Sequence, residues 1–244
     1  IDNEEDLRGL PESVKKAAAE TAAKKEKEGK WIFTLQKPSL IPFLQYADNR
    51  ELRKKIYLAY MNRGDNDNEY DNKDIISEMV KLRLERANLL GYDNHAAYVL
   101  EKNMAKNPEN VYDILHNLWD AALPVAKNER QEMQNIIDRQ GGDFKLASWD
   151  WWYYAEKLRK EQYDFDESSV RPYFKLQHVL NGAFDVANRL YGIQLSERPD
   201  LPKYHEDVRI FEVKQGDKEH IGILYMDFFP RESKRGGAWM SSYR

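Results

Sequence analysis

The hydrophobic period of this chain changes once, after Pro202, and that change limits the folds open to it. Up to that point apolar residues recur at helical spacing between stop signals. Beyond it, "VRIFEVKQGDKEHIGILYMDFF" (208–229) alternates and is rich in β-branched and aromatic residues, the two-residue period of a half-buried strand. Gly216-Asp217 interrupts the run and predicts a β-hairpin, Val208–Lys214 with His220–Phe229. The fold class is therefore mainly α, with a helical body over 1–192 and a small antiparallel β element over 193–244.

The helices are read from their boundaries. Pro11 and Gly29 bracket a first helix over 11–28, with Pro near its start and Gly just past its end. Its run "KKAAAETAAKKEKEGK" reads as a solvated face with spaced ion pairs, the other reading being a binding patch. After "LQKPSLIP" a helix spans about 49–63 and ends at Gly64. Another runs from Asp71, an N-cap, to Leu90, with Gly91 as its stop. Within it Ile75, Met79, Leu82 and Arg86 form an amphipathic stripe. Asn107-Pro108 opens a long helix to about Gln140, closed by Gly141-Gly142, in which Pro124 predicts a kink. Ser148 caps the aromatic segment "WDWWYYAEKLRKEQY", and a last helix runs from about Ser169 to Leu190.

Composition narrows the function classes. With 41% hydrophobic and 33% charged residues, the 244-residue chain reads as soluble and globular. A net charge of −4 does not favour nucleic acid as a partner, since phosphate binding needs a basic excess on one face. No stretch approaches the ~20 apolar residues of a membrane span. Zero Cys excludes disulfides and thiolate metal sites. Six Trp and 15 Tyr are many for a plain bundle and suit the walls of a deep cleft.

"HEDVR" (205–209) invites a zinc reading, because His-Glu-x-x-His on a helix turns both imidazoles toward one metal. Position 209 is Arg, and the segment follows Pro199 and Pro202 into a strand, so it is rejected as a metal site. The remaining histidines, 95, 116, 178 and 220, stand singly, as satisfied structural imidazoles do.

Six segments taken in order carry a resemblance. They are "GLPES" (9–13), "ANLLGYDNHAAYVLEKNMAKNPENV" (87–111), "WDWWYY" (149–154), "PYFKLQHVLNGAFDVANRLYGI" (172–193), "YHEDVRIFEV" (204–213) and "YMDFFPRESKRGGAWM" (225–240). Together they resemble the thimet oligopeptidase, neurolysin and bacterial peptidyl-dipeptidase (dipeptidyl carboxypeptidase) family of zinc metallopeptidases. "RESKRGGAWM" is most similar to the peptidyl-dipeptidase branch.

The resemblance implies the helical lobe of a two-lobed, channel-containing zincin-type enzyme that hydrolyses short unstructured peptides. It implies a catalytic zinc in the parent enzyme, held by a His-Glu-x-x-His helix that would follow the segment matching "DFFPRESKRGGAWM". This chain is then expected to be a central fragment, inactive and without bound zinc by itself, whose partner is the catalytic half of the same protein. No catalytic or metal residue is assigned in it. A cytoplasmic location is expected, with a periplasmic one as the alternative, and neither nucleic acid nor membrane as a partner.

The candidate substrate-binding residues are Gly236, Gly237, Ala238 and Trp239, where an extended peptide could join a strand edge; a simple turn is the other reading. Asp227, Arg231 and Lys234 either orient substrate termini or form a local ion-pair network, the latter being favoured. In "WDWWYY" most rings are expected in the core and one or two facing a channel. An unusually apolar exposed surface is expected near the hairpin and 230–244. A self-contained, non-catalytic helical binding or scaffold module is the rival reading.

Overall fold

In the computed structural model, which describes residues 1–164, 167–216 and 219–242, helices fall largely where the stop signals place them. They are α1 (Glu12–Ala23), α2 (Lys37–Tyr46), α3 (Arg50–Met61), α4 (Lys73–Leu89), α5 (His95–Leu100), α6 (Pro108–Arg139), α7 (Trp151–Tyr163), α8 (Glu167–Val170) and α9 (Leu176–Tyr191). The strands β1 (Ile193–Glu197), β2 (Arg209–Gln215) and β3 (Glu219–Met226) form one antiparallel sheet in the order β1-β2-β3. The mainly α class with a small antiparallel element near the C-terminus is borne out. Two compact units divide the chain, Ile1–Gln162 and Tyr163–Arg244.

Capping explains where several helices begin. The side chains of Asn49, Asn94 and Asn107 accept hydrogen bonds from the backbone N–H groups of Leu52, Ala97 and Asn110, satisfying donors that have no partner within the helix. Asp71, expected as the cap of α4, stands one residue ahead of Asn72, which takes the cap position. The Asp71 carboxylate still accepts from the backbone N–H of Lys73 at 3.0 Å and of Asp67 at 2.8 Å. Helix α6 runs through Pro124 as one element of 32 residues.

Four features differ from the expectation. Helix α1 stops at Ala23, short of residue 28, and Glu26 has a φ of +56°. Helix α2 lies in the segment "LQKPSLIP" and just beyond it, where no helix was expected. Pro38 sits in its first turn, where its missing N–H costs nothing, and Pro42 lies inside. Burial of Leu40, Phe43 and Leu44 outweighs that lost hydrogen bond. In the last helical segment Arg171–Phe174 forms a 3-10 turn around Pro172, so α9 begins only at Leu176. Strand β1, the five residues that directly follow Gly192, makes the expected hairpin a three-stranded sheet. Of the expected turn residues, Gly216 has a φ of +55°, and Asp217 lies outside the described residues.

The first unit holds two apolar clusters. Leu7, Leu10, Phe43 and Ala47 are buried together, with Trp31, Phe33 and Ile56 packed around them. Phe33 meets Phe43 edge-on at 4.6 Å between ring centroids, and burial of one such ring stabilises by about 2–3 kcal/mol. "GLPES" supplies the turn beneath this cluster. Gly9 has a φ of +83°, and a Cβ there would stand 2.1 Å from the carbonyl oxygen of Tyr46, so only glycine fits. The second cluster joins Met133, Ile136 and Ile137 of α6 to Tyr154 of α7.

Between the clusters lies an ionic centre that the sequence reading did not find. Asp150 is fully buried; Arg53 donates to it at 3.0 Å and Arg50 at 2.8 Å. Arg53 also donates to the carbonyl oxygens of Ala47 at 2.7 Å and Asp48 at 3.1 Å. Its guanidinium lies 4.0 Å from the centroid of the Tyr153 ring, and that of Arg50 lies 4.1 Å from the Phe144 ring. Cation–π contact of this kind suits the planar, weakly hydrated guanidinium.

One turn along α7, Glu156 is buried and accepts from Arg159 at 2.7 and 2.8 Å and from Gln45 at 3.0 Å. Burial by itself would raise its pKa, but the hydrogen bonds from Arg159 and Gln45 outweigh it and hold the carboxyl below its usual range. A depressed folded-state pKa contributes stability above the unfolded value, about 4.3, and loses it as pH falls through the folded value. The difference in unfolding free energy between wild type and Glu156→Gln should therefore narrow as pH drops from about 6 to about 3. A difference that stays constant in denaturant titrations across that range would contradict the assignment.

Candidate functional site

The second unit builds the segment singled out for peptide binding. Helix α9 ends at Gly192, whose φ is +69°, and the chain turns directly into β1. Strand β1 pairs with β2 from Ile193↔Gln215 to Glu197↔Phe211. Ile210 and Phe211 of β2 are buried, and Phe184 of α9 meets Phe211 edge-on at 5.1 Å. One face of the sheet is thus fixed to α9.

Strand β3 pairs with β2 from Arg209↔Met226 to Gln215↔Glu219, with a register shift at Val213/Lys214. It is an edge strand among the described residues, and edge strands present backbone donors and acceptors to another chain. Ile221, Ile223 and Tyr225 are exposed on its outer face, and Phe228, Phe229, Trp239 and Met240 are exposed beyond it. Exposed apolar side chains thus stand near the hairpin, where an apolar surface was expected. Exposed apolar side chains also line α4 (Ile75, Met79, Leu82) and α6 (Ile114, Leu118, Trp119), which the sequence reading had not set apart from core-facing positions.

The strand expected over His220–Phe229 ends at Met226. Its partner β2 begins there, Arg209 standing opposite Met226, and the next residue, Asp227, has its side chain drawn into an ionic cluster. Arg231 meets it at 2.9 and 2.6 Å, and Lys234 at 2.7 Å. The Tyr204 hydroxyl donates to it at 3.1 Å. Hydrogen bonds from Arg231 first, then from Lys234, hold the Asp227 carboxyl far below its usual range. The ammonium of Lys234 also donates to the carbonyl oxygens of Phe229 at 2.7 Å and Asp227 at 3.0 Å. Of the two readings offered for these residues, the structure shows the ion-pair network.

Gly236, Gly237, Ala238 and Trp239 follow as one exposed, irregular stretch. Among the described residues no backbone hydrogen bond involves 236–242, so its N–H and C=O groups are open. Gly237 has a φ of +134°, and a Cβ on it would stand 3.1 Å from the Trp239 ring. A Cβ on Gly236 would meet nothing within 4 Å. Trp239 is 75% exposed.

No group of three or more His, Asp or Glu side chains is placed to hold a metal ion among the described residues. In "HEDVR", Arg209 opens β2 and its guanidinium binds Glu197 at 2.8 Å and Gln177 at 2.8 Å. His205 lies 3.6 Å from Asp207. In "WDWWYY", Asp150 and Tyr154 are buried, Trp149, Trp151 and Tyr153 half-buried, and Trp152 exposed. No helix is long and apolar enough to cross a membrane among the described residues.

Comparison with known proteins places these features in context. Residues 43–244 match Peptidase family M3. The chain is 38% identical over 238 residues to the dipeptidyl carboxypeptidase of Escherichia coli K12, covering 97% of this chain and 35% of that protein. It is 39% identical over 244 residues to oligopeptidase A of the same organism, covering 98% and 36% respectively. Saccharolysin of Saccharomyces cerevisiae is 29% identical over 248 residues, covering 96% of this chain and 34% of that protein. The chain thus spans about a third of the length of these relatives.

Proposed function

The chain belongs to peptidase family M3, and from that premise we propose that it forms part of the peptide-binding wall of a zinc peptidase that releases dipeptides from the C-terminus of short peptides. The observation that carries the binding role is the exposed stretch Gly236–Met240, whose backbone has no partner among the described residues. Backbone pairing holds an extended peptide without reading its side chains, as a peptidase of broad specificity requires. Gly236 leaves open space for a close approach, and the Trp239 ring offers an apolar surface to one substrate side chain.

The described residues do not fit a zinc site, for they bring no three ligands together. The work of this chain is binding and orientation, and its catalytic partner is residues of the same protein outside this sequence. The peptidyl-dipeptidase branch is supported by "RESKRGGAWM"; the identities of 38% and 39% to relatives of the two kinds do not separate them.

The test uses the full-length protein and an N-blocked tetrapeptide with either a free or an amidated C-terminus. The reading expects chelator-sensitive release of the C-terminal dipeptide from the free acid and little cleavage of the amide. Equal cleavage of both would assign an oligopeptidase, and no cleavage of either would remove the peptidase reading.

A further inference from the structure

The loop between β3 and the open segment is held more tightly than a connection requires. Asp227 follows the last residue of β3, and its side chain is only 13% exposed. It gathers two cations from the following eight residues, Arg231 in a two-point contact and Lys234 at 2.7 Å. Bidentate guanidinium–carboxylate pairing fixes direction as well as distance. The backbone N–H of Lys234 bonds to the carbonyl oxygen of Arg231 at 3.0 Å, closing a turn.

The cluster is also tied to the rest of its unit. The Tyr204 hydroxyl reaches Asp227, its ring stacks on that of Tyr225 at 6.4 Å, and the Tyr225 hydroxyl donates to the carbonyl oxygen of Pro202 at 3.2 Å. Gly236 leaves this clamp two residues after Lys234, and beyond it no backbone hydrogen bond holds the segment among the described residues. The course of 236–240 is therefore set at its root.

We propose that Asp227 is a positioning residue for peptide binding: by holding Arg231 and Lys234 it fixes the direction in which the chain enters Gly236, and with it the register in which 236–240 meets a peptide. The inference rests on the binding role assigned to that segment above. Neither Asp227 nor Lys234 need touch the substrate, so their loss acts on peptide affinity and leaves the chemical step alone.

The experiment compares wild type, Asp227→Asn, Lys234→Met and Lys234→Arg as full-length proteins on one short peptide, with KM, kcat, zinc content and melting temperature measured for each. Asp227→Asn and Lys234→Met should raise KM about three- to tenfold with kcat changed less than about twofold, the effect of losing one charge-assisted hydrogen bond. Lys234→Arg, which keeps the cation, should restore most of the affinity. Hydrogen exchange in 236–242 should quicken in the two weakened variants. An unchanged KM in either folded variant overturns the proposal, as does a fall in kcat that tracks melting temperature. If Asp227→Asn fails to fold, the two Lys234 variants decide alone. A wild type that cleaves no peptide would instead sink the functional reading, so the two failures are distinguishable.

Discussion

Replacing Asp150 by alanine lowers the unfolding free energy of the helical unit by about 3–5 kcal/mol, the cost of leaving a buried charge without its partner. Asp150 has no exposed side-chain surface, and that of Arg53 is 2% exposed. Without the carboxylate, Arg53 would keep only its bonds to the carbonyl oxygens of Ala47 and Asp48, and its Nε already has no partner among the described residues. The backbone N–H of Ala147, which donates to Asp150 at 3.2 Å, would lose its acceptor too.

Arg50 is 29% exposed at its side chain and meets water when unpaired, so Arg50→Ala should cost less, about 1–2 kcal/mol. The double variant Arg53→Leu/Asp150→Leu separates the causes. It removes the stranded charge and should recover part of the loss, but not all of it, because the Ala47 and Asp48 carbonyls then lack their donor. The measurement is denaturant unfolding followed by tryptophan fluorescence. A single Asp150→Ala loss below about 1 kcal/mol would show that water reaches Arg53 and that the centre is not sealed.

This centre also marks where sequence reading stopped. Helix boundaries were legible because caps and stops are local: Asn107 and Gly64 act within a few residues of themselves. Asp150 pairs with residues 97 and 100 positions away, and nothing local reports such a contact. A signal did exist. An acid set among five aromatic residues in "WDWWYY" must be paired or exposed, and Arg50 and Arg53 lie three apart on one helix face. Their joint burial follows from tertiary packing alone.

The same divide runs through the rest of the fold. Helix α2 was hidden because two prolines speak against a helix locally while Phe43 and Leu44 favour one through a core cluster assembled from distant residues. Strand β1 was hidden because five residues carry too little alternation to be told from a loop, and its pairing partner, β2, begins only at Arg209, beyond an irregular connection. Within the candidate site, the network of Asp227 with Arg231 and Lys234 was legible since the three lie within eight residues of one another. The end of β3 at Met226, set by where its partner β2 begins, was not.

In the full-length protein, Gly237→Pro should lower kcat/KM for a short peptide roughly five- to thirtyfold, the loss of one or two backbone hydrogen bonds at ~1 kcal/mol each. Gly237 sits at a φ of +134°, where proline, held near −65°, cannot follow it. The substitution therefore redirects the chain between the Asp227 clamp and Trp239, and it removes one N–H from the open edge. Gly236→Ala is the matched control, since a Cβ there meets nothing within 4 Å; its effect should be small unless the peptide itself approaches that face. The residues concerned are exposed and contribute little to the core, so melting temperature and zinc content should stay at wild-type values. Unchanged kcat/KM in a well-folded Gly237→Pro protein would make this stretch a turn and no more, and peptide pairing would then fall to the free edge of β3, where substitutions at Ile221 and Ile223 could trace it.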